Sequence, residues 1–150
     1  MRASRPHFRS LNGKPRSLLV TAACCLSAAG VCADQLTVDV TGITIVSGNI
    51  RAAVFDSREH WEDEKSPVAS VSESVKKTEV RLVFADLPAG DYAVKLYQDE
   101  NSNGKLDTNM LGIPSERYGF SRQQPRRGQP SFDEAKFSVE GDTRIEIPIK

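Results

Sequence analysis

Apolar and polar residues alternate with period two along most of this chain. Leu36, Val38 and Val40 alternate with polar neighbours, as do Ile50, Ala52 and Val54. The pattern returns at Val80, Leu82 and Phe84, at Tyr92, Val94 and Leu96, and at Ile145, Ile147 and Ile149. Successive strand side chains point to opposite faces, so each run predicts a strand with one face on a core and one in water. Phe137 and Val139 mark a further short strand, and residues 71–75 a weak edge strand. Turn signals separate the runs at Ser47-Gly48-Asn49, Leu87-Pro88-Ala89-Gly90 and Glu140-Gly141-Asp142. Pro148 offers no ladder donor and places the last strand near a sheet edge or end. About seven short strands at this spacing predict an all-β chain folded as a single antiparallel β-sandwich, immunoglobulin- or prealbumin-like.

Two segments break the rhythm. Residues 56–70 contain Ser57-Arg-Glu-His60-Trp61-Glu-Asp-Glu-Lys65, which predicts one helical turn ending before Pro67. Residues 99–131 form a long loop region, and loops of that length inside a compact domain are usually functional or disordered. Tyr118 and Phe120 favour order.

That loop opens with Asp99-Glu-Asn101-Ser-Asn103-Gly104-Lys105-Leu-Asp107, with oxygen-bearing side chains at the first, third, fifth and ninth places and glycine at the sixth. A hard cation such as Ca²⁺ takes six to eight oxygens at roughly 2.3–2.6 Å, and a D-x-N-x-N-G turn folds tightly enough to supply them. Asp99, Asn101 and Asn103 would give side-chain oxygens, Lys105 a backbone carbonyl, and Asp107 a direct or water-mediated contact. The twelfth position, where an EF-hand carries its bidentate Glu, is Met110, and a strand precedes the motif. The expectation is therefore a calcium-type loop on a β scaffold, with Glu116 the nearest late carboxylate. With two or three anionic ligands the affinity falls near the ~10⁻⁴–10⁻³ M of extracellular modules. The competing reading is an Asn/Gly-rich turn capped by its own side chains.

The start of the chain changes the composition. Arg2, Arg5, Arg9, Lys14 and Arg16 precede an uncharged, small-residue stretch over residues 17–31, and Val31-Cys32-Ala33 has the small residues a signal peptidase reads. Residues 1–33 are expected to be a secretory signal peptide and 34–150 the β-sandwich domain; a retained anchor helix is the alternative. Export places the domain in the periplasm or outside the cell, with no membrane span after cleavage. All three cysteines leave with the signal, so no disulfide remains, and a bound cation would be a substitute brace. Five of the 20 basic residues leave too, and 15 against 20 acidic groups give a net charge of −5. That balance argues against non-specific nucleic-acid binding, which needs a basic face.

Further residues carry candidate roles. The strand–turn–strand around Leu87-Pro88-Ala89-Gly90-Asp91-Tyr92 predicts a hydroxyl tied back to nearby backbone, as in a tyrosine corner. Arg117, Tyr118, Phe120 and Arg122, with Arg126 and Arg127, combine aromatic and guanidinium groups, which favour interfaces and anionic ligands. Their alternative role is packing by the two rings and solvation of the arginines. His60 is the sole histidine after residue 33, so no His-rich zinc site forms. An exposed His60 beside a Trp61 that anchors a loop is expected.

Taken together, Leu87-Pro-Ala-Gly-Asp-Tyr92-Ala-Val94, the 99–107 motif, Gly112-Ile-Pro-Ser-Glu116-Arg-Tyr118-Gly-Phe120-Ser121 and Pro130-Ser-Phe132-Asp-Glu-Ala135 resemble a family of exported bacterial proteins known as a domain of unknown function, DUF2141. The resemblance spans residues 35–149 and implies a small extracytoplasmic β-sandwich without an assigned activity. The first two motifs also resemble prealbumin-like and collagen-adhesin B-type modules. The leading expectation is a binding or accessory module of the cell envelope, its loop presented to a protein, glycan or envelope component. Two alternatives are a metal-assisted or carboxylate-based hydrolase using Glu116, Asp107 or His60, and a periplasmic carrier of an apolar ligand between the sheets.

Overall fold

The computed structural model describes residues 34–122 and 128–150. The expected signal peptide and Arg126 and Arg127 lie outside the described residues. Strands β1 (Asp34–Thr41), β4 (Val80–Leu87) and β8 (Thr143–Pro148) form one sheet in the order β4-β1-β8. The second sheet runs β3-β2-β5-β6, from β3 (Ala69–Ser74), β2 (Asn49–Phe55), β5 (Gly90–Asp99) and β6 (Tyr118–Phe120). Strand β7 (Phe137–Val139) pairs with the start of β5, beyond the stretch that β6 pairs. The period-two runs are these strands, and the all-β sandwich follows.

The inner faces hold one core. Leu36, Val38 and Val40 from β1, Leu82 and Phe84 from β4, Ile50 and Val54 from β2, and Val94 and Leu96 from β5 are all buried in it. One pairing departs from the antiparallel expectation: β1 and β8 run parallel, Val38 opposite Ile145. A hairpin forces antiparallel neighbours only when strands follow one another closely, whereas these two come from opposite ends of the domain. As Pro148 suggested, β8 is an edge strand.

Tight turns set the sandwich's ends. Gly48 has φ +68°, and a Cβ there would lie 2.0 Å from the Asp99 carbonyl oxygen. Only glycine lets the turn before β2 pass this close to the end of β5. The Tyr92 hydroxyl donates to the Pro88 carbonyl oxygen at 2.7 Å, the expected tie across the turn between β4 and β5.

Part of the five-stranded sheet's outer face is also covered. Helix α1 (Arg58–Asp63) and helix α2 (Phe132–Ala135) bring Trp61, Phe132 and Ala135 onto Phe55, Ala93 and Phe120. Trp61 packs edge-on against Phe55, Phe120 and Phe132, and its Nε1 donates to the Pro130 carbonyl oxygen at 2.8 Å. His60 is half-buried rather than exposed and pairs with Asp56. Ser131 and Glu134 form a capping box that starts α2.

Candidate functional site

Strand β5 ends at Asp99, where the chain leaves the outer sheet face and turns sharply. Asp99 is fully buried. Its Oδ2 accepts from Arg51 Nε at 2.7 Å and from the Gly104 N–H at 2.9 Å, and its Oδ1 accepts from the Asn103 N–H at 2.9 Å. Burial alone would raise the Asp99 carboxyl; the Arg51 guanidinium and the two backbone N–H groups outweigh it and hold it below its ordinary value.

The remaining motif residues close around the same turn. Asn101 Oδ1 accepts from the Asn103 N–H, and Asn103 Oδ1 from the Lys105 N–H, two successive Asx turns. The Asn101 and Asn103 amides donate to the two oxygens of Asp107 at 2.6 and 2.9 Å. Gly104, with φ +82°, and Ser102, with φ 60°, supply the left-handed backbone the turn requires. Asp99, Asn101, Asn103, Lys105 and Asp107 are thus gathered in one turn that is capped by its own side chains.

Glu116 has a different place from that of a twelfth-position ligand. It is 7 % exposed, and its two oxygens accept from the N–H groups of Glu100 and Asp107, each at 2.9 Å. Its carboxylate clasps the base of the loop by joining the two backbone segments that enter and leave it. As a cation site, the turn offers Asp99 and Asp107 as charged donors, with amide oxygens and a carbonyl beside them. Among the described residues no three His, Cys, Asp or Glu side chains converge. Oxygen donors of this kind fit a hard cation in type. Arg51 already offsets part of the negative charge, which limits the attraction.

The loop is also the wall of a groove. A concavity of about 1340 Å³ lies on the outer face of the five-stranded sheet, with Arg51, Ala53, Lys95, Tyr97, Tyr118 and Phe120 among its lining. The strand registers align these residues in rows: Arg51 opposite Tyr97 and Tyr97 opposite Tyr118, then Ala53 opposite Lys95 and Lys95 opposite Phe120. Leu106, Ile113 and Pro114 from the loop also line the groove. Two lining residues bond directly to the turn: Arg51 to Asp99, and the Tyr97 hydroxyl to the Gly104 carbonyl oxygen at 3.0 Å. Burial raises the Tyr97 hydroxyl pKa, with Asp99 and Glu116 adding to the effect and Arg51 opposing it.

Lys95 sits between this groove and the aromatic cluster. Its Nζ donates to the Trp61 carbonyl oxygen, Glu64 Oε1 and Gln129 Oε1, and lies 4.6 Å from the Trp61 ring centroid. Burial lowers its pKa despite the Glu64 carboxylate.

Of the four predicted surface residues, only Tyr118 and Phe120 lie in β6. Tyr118 and Phe120 face the groove, their rings 5.6 Å apart, and Phe120 also packs on Trp61. Arg117 lies between the strand and Glu116 and gives its backbone carbonyl to the Gln98 N–H. Arg122, just past β6, donates to the Lys136 carbonyl oxygen. Of the three residues named for a hydrolase, Asp107 and Glu116 come together through a backbone bond, while His60 pairs with Asp56 on another part of the domain.

Sequence reasoning missed Arg51, Ala53, Lys95 and Tyr97 as lining residues. A signal was present in Ala52-Ala53-Val54-Phe55, where apolar residues occupy both strand faces. Continuous apolar strands are characteristic of sheets covered on both sides.

A family model described as "Uncharacterized protein conserved in bacteria (DUF2141)" matches residues 38–146. Neither the curated proteins nor the solved structures contain a match.

Proposed function

For this chain, which belongs to the DUF2141 family of uncharacterised bacterial proteins, we propose a role as a binding or accessory module of the cell envelope. Its binding surface is the outer-face groove, and the 99–116 loop holds one wall of that groove in place. The observation that carries the reading is the double tie between groove and loop, Arg51 to Asp99 and Tyr97 to Gly104. A ligand touching Arg51 or Tyr97 touches the residues that position the wall.

Calcium is the proposed brace, held by Asp99, Asn101, Asn103, Asp107 and the Lys105 carbonyl, with Glu116 supporting the loop base. A bound cation would neutralise the gathered oxygens and stiffen the wall. Ordering the wall before a ligand arrives lowers the entropy cost of binding. Aromatic Tyr97 and Tyr118 beside Arg51, Ser70 and Ser72 suit a glycan or polar envelope fragment, through stacking and hydrogen bonds. Export by a signal peptide over residues 1–33 would bring the domain to such ligands.

The test is an NMR titration of the protein with soluble peptidoglycan fragments and envelope oligosaccharides, in calcium. Shifts concentrated at Ala53, Lys95, Tyr97 and Tyr118 are expected. Shifts confined to other surfaces, or none across the panel, would refute the groove as the binding surface. Hydrolysis of a panel member, lost in Glu116→Gln, would favour the enzyme reading instead.

A further inference from the structure

We propose that the tip of the 108–114 loop is a lipid-contacting finger that inserts into the interface of a bilayer. Met110 is fully exposed, Leu111 is 82 % exposed and Ile113 55 %. Met110 and Leu111 therefore project from one short turn, and Ile113 beside them is shared with the groove wall. Single exposed apolar residues are ordinary, whereas a contiguous group marks a contact surface.

The backbone of this turn supplies the second observation. The Asn109 N–H donates to the Ile113 carbonyl oxygen at 2.8 Å, and the Gly112 N–H to the Asn109 carbonyl oxygen at 2.9 Å. The Leu111 and Ile113 N–H groups both donate to Asn109 Oδ1, at 2.9 and 3.1 Å. A bridge between Thr108 and Pro114 closes the base. Four N–H groups that an ordinary surface loop leaves to water are thus paired within the turn. Unpaired backbone polar groups are what most oppose entry of a loop into a low-dielectric medium. This turn lowers that obstacle on its donor side while keeping the Met110 and Leu111 side chains outward.

The size and shape of the tip select lipid over protein. Its apolar surface is on the order of a few hundred Å², against ~800 Å² per partner for a stable protein interface. A convex tip needs a matching socket on a protein, whereas a bilayer interface accommodates it without one. No helix among the described residues is long and apolar enough to cross a membrane. The proposed contact is shallow and reversible because so few side chains enter.

Leu111→Trp places a reporter at the tip, with Trp61 remaining as a buried reference. Vesicles of phosphatidylcholine, with and without phosphatidylglycerol, are prepared with lipids brominated near the headgroup end of the chains. The expected result is a blue-shifted tip emission quenched by the brominated lipid. In the otherwise native chain, Met110→Ser and Leu111→Ser should each weaken vesicle partitioning about tenfold. Because both side chains are exposed, neither change should alter the unfolding midpoint, which serves as the folding control. A tip emission unchanged by vesicles would overturn the proposal, even if the protein bound them by another segment. A blue shift that depends on protein concentration without lipid would overturn it as well, by assigning the tip to self-association.

Discussion

Replacing Glu116 by Gln alters one atom of the loop's clasp and nothing of its size. In the native chain one oxygen receives the Glu100 N–H and the other the Asp107 N–H, both at 2.9 Å, on a side chain only 7 % exposed. A glutamine has one acceptor, so one of those N–H groups must face an amide NH₂. Hydrogen bonds to a charged group contribute about 1.5–3 kcal/mol, and a buried donor left facing another donor costs a similar amount. The variant should lose roughly 1.5–3 kcal/mol of stability, a lowering of the midpoint by about 5–15 °C for a domain of this size. Urea unfolding measures the global loss. Native-state hydrogen exchange locates it: the Glu100 or Asp107 amide should exchange about ten- to a hundredfold faster. A stability within about 0.5 kcal/mol of the native chain, with both amides equally protected, would refute the clasp.

Other residues give independent tests. Gly48→Ala adds a Cβ 2.0 Å from the Asp99 carbonyl oxygen at φ +68°; the turn must move, and urea unfolding should show a loss of about 2–4 kcal/mol. Trp61→Phe removes the bond to the Pro130 carbonyl oxygen while keeping an aromatic ring in the cluster, with an expected loss of about 1–3 kcal/mol by the same measurement. Asp39 lies between Arg144 and Arg81, and its hydrogen bonds to those two guanidinium groups lower its pKa below the ordinary 3.8. A carboxyl lowered on folding stabilises above its unfolded pKa, and the effect disappears as pH falls through the folded value. Asp39→Asn should therefore cost about 1 kcal/mol near neutrality, and the difference should shrink steadily below pH 3.8. A difference that stayed constant from neutral to acid pH would count against the charge pairing.

The strands were legible because Leu36, Val38, Val40 and their counterparts obey a two-residue period that only a half-buried sheet satisfies. Trp61 as a loop anchor and Tyr92 as a turn tie were also readable, since each carries one polar atom that burial obliges to find a partner. Strand β6 was not, because three residues, Tyr118, Gly119 and Phe120, are too few to display a period. Helix α2 was not read either, although its Ser131–Glu134 spacing fits the capping box that starts it. The motif showed that Asp99, Asn101, Asn103 and Asp107 would meet in one turn. It could not show that Arg51, 48 positions earlier, would meet Asp99. That contact depends on the pairing of β2 with β5, a long-range register that local spacing does not encode. The groove was hidden for the same reason, its lining drawn from four strands and three segments between elements.

The direct test of the cation-braced wall is thermal unfolding in calcium and in chelator, paired with hydrogen exchange across the 99–116 loop. At a calcium concentration about a hundredfold above Kd, specific binding adds about 2.7 kcal/mol. With the expected Kd of about 10⁻⁴–10⁻³ M, calcium at some tens of millimolar should raise the midpoint by several degrees. It should also slow exchange at Asn103, Gly104, Lys105 and Asp107. Superimposable unfolding curves and unchanged exchange in calcium and chelator would contradict the account.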